Sequence, residues 1–260
     1  MSLNLASGAR VLDVRTGGGG ALPPIAQAVG MTGSVLAVDN DSTVLALASD
    51  YVEQAGIADR VTLQLGDIVE VLADAATTPE NAFDAIWAGD VLYPVYFEEP
   101  ADVVRQMAQA LRPGGIIALF YPNYYHATFL PGHSRLERGL CTVSEIGDGA
   151  PVDGPRHKGR HLAWLLAAGL DDVSLKMFPR VCFPIDTDPT VRPYIEQELP
   201  GARELTATHG AAAGLSTAEM DEIQRLLTPG DPDYILDEPG CFLVHPATLA
   251  TGRRPVEAPR

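Results

Sequence analysis

The chain has 260 residues and a formal net charge of −16, because 34 Asp and Glu residues outnumber 18 Lys and Arg residues. Such an acidic surface repels nucleic-acid phosphates and anionic membranes, so we expect neither nucleic acid nor a membrane surface as a partner. The hydrophobic content of 46% is enough for a large core. We therefore expect a globular protein whose substrate is not a nucleic acid.

Several features predict a cytoplasmic location. The cysteines, Cys141, Cys182 and Cys241, are far apart and form no Cys-x-x-Cys pair, which is typical of reduced thiols. The N-terminus lacks the basic region and apolar stretch of a signal peptide. The longest apolar run, 116–120, is too short to span a bilayer. His157 and His161 have helical i, i+4 spacing, but no third ligand is evident, so we predict surface residues and no metal site.

The first 120 residues alternate predicted strands and helices, which is typical of a parallel sheet covered on both faces. The predicted strands are 10–14, 34–38, 61–65, 83–88 and 116–121. Helices are predicted to begin near Ala21, at Asp41 or Ser42, and near Glu98. Each strand is thus followed by a helix or a short turn.

The alternation is interrupted after strand five. Residues 122–155 are rich in Pro, Gly, Tyr and His and show no clean period, which predicts an insertion. A helix at 156–168 and a strand at 173–177 follow, and then a second insertion at 183–238 with helices at 189–199 and 216–227. A last strand is predicted at 241–245, and a frayed tail at 251–260. We expect residues 1–250 to form a single domain that carries both insertions.

The start of the chain has the layout of a nucleoside site. A strand runs into four consecutive glycines, 17–20, and the second strand ends at Asp39, 20 residues after Gly19. Glycines let the backbone approach a ligand closely, and an acid after the second strand can accept bonds from both ribose hydroxyls. These residues predict a βαβ unit that binds a nucleoside.

Six segments together resemble one family. They are 13–19, 38–39, 65–67, 83–87, 111–115 and 165–170. In this order they resemble class I S-adenosylmethionine (SAM) dependent methyltransferases, of the kind that methylates quinones and natural products. The resemblance implies a Rossmann-like, doubly wound α/β sheet of seven mostly parallel strands, whose last strand is antiparallel beside strand five. It also implies SAM as cofactor, a small and largely apolar methyl acceptor, and helical insertions that form a lid.

The resemblance implies a role for each cofactor residue. Asp39 would bind the ribose, Asp67 the adenine amine, and Ile68 would pack on the ring. Gly17 and Gly19 would let the turn lie close against the methionine portion of SAM. The ammonium group of that portion would lie near Asp13 and near the backbone carbonyl of residue 88 or 89. The implied cofactor residues are Asp13, Arg15, Gly17, Gly19, Asp39, Asn40, Asp67, Ile68, Ala88 and Gly89. An alternative for Asp67 is a simple turn with a side-chain bond to the backbone.

The chain departs from the family pattern in two places. Arg15 stands where the first motif glycine is expected, and a positive φ there would cost about 1–2 kcal/mol. The Arg15 side chain would crowd the methionine end of SAM. It would either pair with the SAM carboxylate or weaken SAM binding. In addition, only about ten residues precede strand one. The lid would then come from the insertions or from a partner subunit, and a homodimer remains open.

Residues after strands four and five are the catalytic candidates. His126 is the predicted base for an oxygen nucleophile, and Tyr93 and Tyr124 are predicted to align the acceptor. The alternative is that these aromatic residues only pack the insertion. The predicted apolar roof of the substrate pocket consists of Tyr194, Ile195, Leu199, Leu205, Leu226 and Leu227.

Two other functions remain open. A nicotinamide-dependent dehydrogenase would share the βαβ opening, but neither Lys158 nor Lys176 has a Tyr four residues before it. A noncatalytic binding or regulatory protein of the same fold would explain Arg15 and the short segment before strand one. Binding of SAM or of NADH separates these alternatives.

Overall fold

The computed structural model describes residues 5–123, 126–147, 149 and 154–256. The chain folds into two compact units. The first unit comprises Met1–Tyr121, Lys158–Lys176 and Leu249–Arg260, and the second comprises Pro122–His157 and Met177–Thr248. Both predicted insertions fall within the second unit.

A seven-stranded sheet has the order β3-β2-β1-β4-β5-β7-β6. The strands are β1 (Arg10–Val14), β2 (Ser34–Asp39), β3 (Val61–Leu65), β4 (Phe83–Gly89), β5 (Leu111–Pro122), β6 (Asp171–Cys182) and β7 (Leu243–Arg253). The pairs β1/β2, β1/β4, β2/β3 and β4/β5 are parallel. Gly115 pairs with Arg254 near the start of β5, whereas Asn123 pairs with Pro246 just past its end, so β7 is antiparallel to β5. The predicted Rossmann-like sheet is confirmed.

Eight α-helices accompany the strands in the described part of the chain. They are α1 (Leu22–Val29), α2 (Ser42–Gln54), α3 (Ile68–Thr77), α4 (Pro100–Ala110), α5 (Ser134–Gly147), α6 (His161–Ala167), α7 (Val191–His209) and α8 (Thr217–Leu226). None of the helices in the described residues is long and apolar enough to cross a membrane.

The first unit buries both faces of its parallel strands. Along β1, Leu12 and Val14 belong to the core that includes residues of α3, α4 and α6, while Val11 belongs to the core that includes residues of α1 and α2. All three side chains are fully buried. This follows from the alternation of side chains along a strand, and it explains why apolar residues occupy both faces of β1.

Acidic side chains determine where helices begin and where strands are tied together. Asp41 caps α2 by accepting a bond from the Thr43 N–H (2.7 Å), as predicted. Asp84 accepts bonds from the Arg10 backbone N–H and from Arg112 Nη1, both at 2.7 Å. It therefore ties the starts of β1 and β5 to the start of β4.

The second unit is more helical than the sequence predicted. The segment 122–155 was expected to lack periodicity, but α5 runs through it and buries Leu136, Leu140 and Val143 on one face. The predicted helix at 189–199 extends to His209, past Pro200, because Leu199 and later apolar residues of α7 continue to pack against α5.

The predicted end of the sheet was wrong. A strand was expected at 241–245 and a frayed tail from residue 251, but β7 runs from Leu243 to Arg253. His245, Ala247 and Leu249 are buried at every second position, which is the spacing of a half-buried strand. Small and polar residues between them concealed that period.

We expect Ser216→Ala to lower the free energy of unfolding by about 1 kcal/mol, because it removes half of a capping box. The Ser216 hydroxyl accepts a bond from the Glu219 N–H, and the Glu219 carboxylate accepts one from the Ser216 N–H. Urea denaturation measures the difference. Ser42→Ala, at the exposed first residue of α2, is the control and should change stability by less than about 0.5 kcal/mol. Equal effects of the two substitutions would contradict the prediction.

Candidate functional site

The glycine turn after β1 is held against the end of β2. The Thr16 N–H donates to the Val38 carbonyl and the Gly17 N–H to Asp39 Oδ2, both at 3.0 Å. Gly17 has φ +55°, and a Cβ there would have no neighbour within 4 Å, so the turn is open on that side. A Cβ at Gly19, in contrast, would lie 3.1 Å from Leu22. Gly17 thus leaves room for a ligand, whereas Gly19 permits close packing of α1.

Asp39 lies at the centre of this arrangement. Its side chain is buried, and its second oxygen, Oδ1, accepts a bond from the Asp41 N–H at 3.1 Å. Each carboxylate oxygen has two lone pairs, so both oxygens can still accept a bond from a ligand hydroxyl. The carboxylate therefore shapes the turn and remains able to bind a ligand.

A cleft of about 220 Å³ opens beside Asp39 in the first unit. Its lining residues are Arg15, Val38, Asp39, Asn40, Gly66, Asp67, Ile68, Val69, Tyr96 and Phe97. Five of the residues predicted at a cofactor site, from three separate loops, line this one cleft. Asp67 also caps α3 by accepting a bond from the Val69 N–H at 2.8 Å, so its predicted turn role is present as well.

Arg15 has the positive φ that its place in the motif predicts, at +51°. Its guanidinium donates to Asn40 Oδ1 at 2.8 Å and lies 4.3 Å above the centre of the Tyr96 ring. A cation over an aromatic face is favourable by about 0.5–1 kcal/mol at an exposed site, which offsets part of the backbone strain. The side chain thus lies along the cleft. Tyr96 has no local sequence signal that marks it as a site residue, because its partner Arg15 is 81 residues away.

Asp13 lies below the glycine turn. It is 2% exposed and accepts a bond from the Thr16 hydroxyl at 2.6 Å. Burial raises the pKa of this carboxyl to about 7, the Thr16 bond opposes the rise, and the Asp39 charge adds to it. Asp13 therefore changes its charge near neutral pH.

An aromatic cluster follows the ends of β4 and β5 in the first unit. Lys158 is 5% exposed, and its ammonium lies 4.3 Å from the ring centre of Tyr93 and 5.0 Å from that of Tyr121. His161, predicted on the surface, is buried, and its ring packs edge-on against Tyr121 and beside Trp164. That prediction was wrong because the histidine spacing does not show which face of α6 packs inward. The sequence did not predict the burial of Lys158, because its aromatic partners come from distant segments.

The remaining predicted residues are distributed over the two units. Tyr93 belongs to the aromatic cluster, and the strand carrying Ala88 and Gly89 ends beside it. His126 is an exposed residue of the second unit, with Nδ1 2.8 Å from Asn123 Oδ1. Tyr124 lies outside the described residues. The catalytic roles of these residues stay predictions.

Residues 5–151 match a family model described as a methyltransferase domain. The chain belongs to this methyltransferase family. The match covers more than half of the sequence and includes the glycine turn, Asp39 and the cleft. It confirms the family that the six motif segments predicted.

Curated relatives support the same family. The chain is 28% identical over 231 residues to methyltransferase GfsG of Streptomyces halstedii, covering 88% of this chain and 77% of the relative. It is 31% identical over 149 residues to the 27-O-demethylrifamycin SV methyltransferase of Amycolatopsis mediterranei, with coverage of 56% and 49%. A ubiquinone/menaquinone biosynthesis C-methyltransferase of Pseudomonas fluorescens is 30% identical over 109 residues, and only 40% of its length is covered.

Solved structures support the fold. A proposed methyltransferase from Bacillus halodurans superposes with a TM-score of 0.54 at 19% identity, covering 96% of this chain and 94% of that one. A proposed methyltransferase solved in complex with the Haloferax volcanii Trm112 methyltransferase activator gives a TM-score of 0.52 at 18% identity, with coverage of 98% and 86%. At these identities the likeness concerns the fold alone.

We expect Asp13→Asn to change how stability depends on pH. The ordinary pKa of the carboxyl is 3.8 and its folded value is about 7, so between these values the folded state binds more protons than the unfolded state. Stability of the natural protein should therefore fall as pH rises through this range, and should stop falling above pH ~7. An asparagine cannot ionise, so the variant should gain roughly 2–4 kcal/mol relative to the natural protein across the range.

Urea denaturation at several pH values measures this difference. Asp50→Asn, which alters an exposed acid on α2, is the matched control and should leave the pH profile unchanged. If Asp13→Asn and the natural protein have parallel profiles, the raised pKa of Asp13 is wrong.

Proposed function

We propose that the chain is a SAM-dependent methyltransferase of the cytoplasm and that its acceptor is a small, largely apolar molecule. The observation that carries this proposal is the cleft of the first unit, which is lined by the carboxylates of Asp39 and Asp67 and by the apolar side chain of Ile68. Two carboxylates around an apolar side chain suit a nucleoside that carries no phosphate. The methyltransferase family supports the transfer of a methyl group.

The residues of the cleft fit the nucleoside part of SAM. A volume of about 220 Å³ is below the ~300 Å³ of a small complete ligand site, which suits one portion of a larger ligand. Arg15 is the one basic residue of its lining, and its guanidinium is already engaged by Asn40 and Tyr96. A dinucleotide would place phosphates among these acids, so the cleft favours SAM over a nicotinamide cofactor.

Each residue of the first unit would then have a binding role. Asp39 would accept bonds from the ribose hydroxyls, Asp67 would accept one from the adenine amine, and Ile68 would pack against the ring. The open side of Gly17 and the carboxyl of Asp13 would receive the methionine portion. Because the pKa of Asp13 is raised to about 7 by burial, a nearby ammonium would hold it in the charged form.

When bound, SAM supplies an activated methyl group attached to a sulfonium. The protein then needs mainly to align the acceptor and to exclude water. Tyr93 is the proposed aligning residue, and the contact of its ring with the ammonium of Lys158 supports this role by limiting the movement of the ring. His126 is the proposed base for an oxygen nucleophile and Tyr124 a further aligning residue, as the sequence predicts.

The names of two curated relatives support a small-molecule methyl acceptor. One is named for a demethylrifamycin and others for quinone biosynthesis, although the chain covers 49% and 40% of their lengths. Both names refer to metabolites rather than to macromolecules. Together with the net charge of −16, they favour a small acceptor that is not strongly anionic.

We expect the protein to bind SAM with micromolar affinity in isothermal titration calorimetry. Asp39→Asn should weaken binding by about 10- to 100-fold, because hydrogen bonds to a charged group contribute about 1.5–3 kcal/mol. Asparagine keeps an oxygen acceptor for the Gly17 N–H, so the turn should persist. Thermal unfolding of the variant checks that the fold is intact.

Asp221→Asn is the matched control, since this exposed acid lies on α8 in the second unit. It should leave the SAM affinity unchanged. NADH should not bind the natural protein. Binding of NADH without SAM would support a dehydrogenase, and binding of neither would support a noncatalytic protein; both outcomes contradict the proposal.

A further inference from the structure

A larger cavity, of about 490 Å³, lies within the second unit. It is formed by α5, α7, the start of β7 and the segment before α5. Its lining residues are Ala127, Phe129, Leu140, Cys141, Ser144, Tyr194, Ile195, Glu198, Leu199, Gly201, Ala202, Leu205, Leu243 and His245. Four of the six residues predicted to roof a substrate pocket are among them, whereas Leu226 and Leu227 are core residues.

The interior of the cavity is apolar and carries few polar groups. Leu140, Ile195 and Leu199 are buried side chains that face it. The Ser144 hydroxyl donates to the Leu140 carbonyl at 3.1 Å, so its hydrogen is already used. Burial raises the pKa of the Cys141 thiol to about 12, with Glu137 and Glu145 adding to the rise. The thiol is therefore neutral and unreactive at physiological pH.

The histidine of the lining is also uncharged. His245 is 7% exposed, and burial lowers its pKa, with the charge of Arg180 contributing. A neutral imidazole offers hydrogen bonding without a positive charge. Among the described residues that line the cavity, none therefore offers a cation to a carboxylate or a phosphate. The charge of Arg180, which acts on His245 and Tyr194, comes from outside this lining.

The one ionised group of the lining is at the rim. Glu198 is exposed, one turn of α7 beyond the half-exposed Tyr194. Desolvation raises the pKa of the Tyr194 phenol, the Glu198 charge adds to the rise, and the Arg180 charge opposes it. The rim thus presents a carboxylate and a neutral phenol, which favour a hydrogen-bond donor or a cation and disfavour an anion.

We propose that this cavity binds a small molecule with an apolar body and one donor group, an amine or a hydroxyl, that meets Glu198 at the rim. A volume of about 490 Å³ lies within the ~300–1,000 Å³ of small-molecule sites, and its concave shape suits a small molecule better than a protein surface. The identification of this ligand as the methyl acceptor rests on the proposed function. The existence of a ligand site in the cavity does not depend on that function.

Three probes with the same ten-carbon chain test the proposal: decylamine, decanol and decanoate. Their affinities for the full chain are measured at neutral pH by displacement of the uncharged dye Nile red. We expect decylamine to bind most tightly and decanoate about tenfold more weakly, because the rim carboxylate attracts one and repels the other. Decanoate binding as tightly as decylamine, or no saturable binding of any probe, would overturn the proposal.

Charge and volume are tested by separate variants. Glu198→Gln should reduce the amine-to-acid ratio to about twofold, whereas Glu204→Gln, an exposed acid elsewhere on α7, should leave it unchanged. Ala202→Phe should weaken all three probes at least tenfold by filling the cavity, and Ala218→Phe, on the exposed face of α8, should not. If Ala202→Phe does not fold, Ser144→Leu fills the same space. Probe binding that survives a folded, filled variant would contradict the proposed site.

SAM titrations of the same variants separate the two proposals. Asp39→Asn should weaken SAM binding by about 10- to 100-fold and leave probe binding unchanged. Ala202→Phe should weaken probe binding at least tenfold and leave SAM binding unchanged. If the natural protein binds the probes but not SAM, the ligand site stands and the methyltransferase proposal fails. If the natural protein binds SAM but not the probes, the methyltransferase proposal stands and the proposed ligand site is wrong.

Discussion

The buried carboxylate of Asp39 is the interaction on which the site depends. One of its oxygens accepts the Gly17 N–H and the other accepts the Asp41 N–H. The first bond holds the glycine turn after β1, and the second orients the residue that caps α2. A single side chain therefore joins the loops that follow β1 and β2, beside the cleft. A ligand hydroxyl that binds it meets a group already fixed in place, which lowers the entropic cost of binding.

Arg15 shows how a departure from a motif is accommodated. Its backbone adopts the positive φ of a glycine, and its side chain contacts Asn40 and Tyr96 instead of remaining in solvent. The compensation requires an aromatic ring 81 positions further along the chain. The substitution thus makes the segment after β4 part of the wall of the cleft. A glycine at this position would leave Tyr96 without a cation.

The two units concentrate different chemistry. The first contains a cleft lined by acids and one arginine, together with a lysine enclosed by tyrosines, while the second contains an apolar cavity with a carboxylate at its rim. Polar recognition of a cofactor and apolar recognition of an acceptor make opposite demands on the lining side chains. Placing the apolar lining on inserted helices leaves the loops of the sheet free for polar groups.

Much of the first unit could be predicted from sequence, because its signals are local. A largely apolar strand, glycines that need positive φ and an acid 20 residues later each constrain a short segment, and together they determined β1, the turn, β2 and the position of Asp39 at the end of β2. The spacing of Ser216 and Glu219 likewise determined the start of α8.

Other features were decided only by tertiary structure, because they depend on which distant residues become neighbours. The pairing of Arg15 with Tyr96, the burial of His161 and Lys158, and the raised pKa of Asp13 all arise from packing across long separations. The extension of β7 to Arg253 and of α7 past Pro200 followed from partners that stabilise each element beyond its local signal. Local propensity is worth tenths of a kcal/mol for most residues and about 3 kcal/mol for a proline inside a helix, whereas burying one large apolar side chain contributes about 1.5–3 kcal/mol. A few buried side chains therefore outweigh the local signal, even at Pro200.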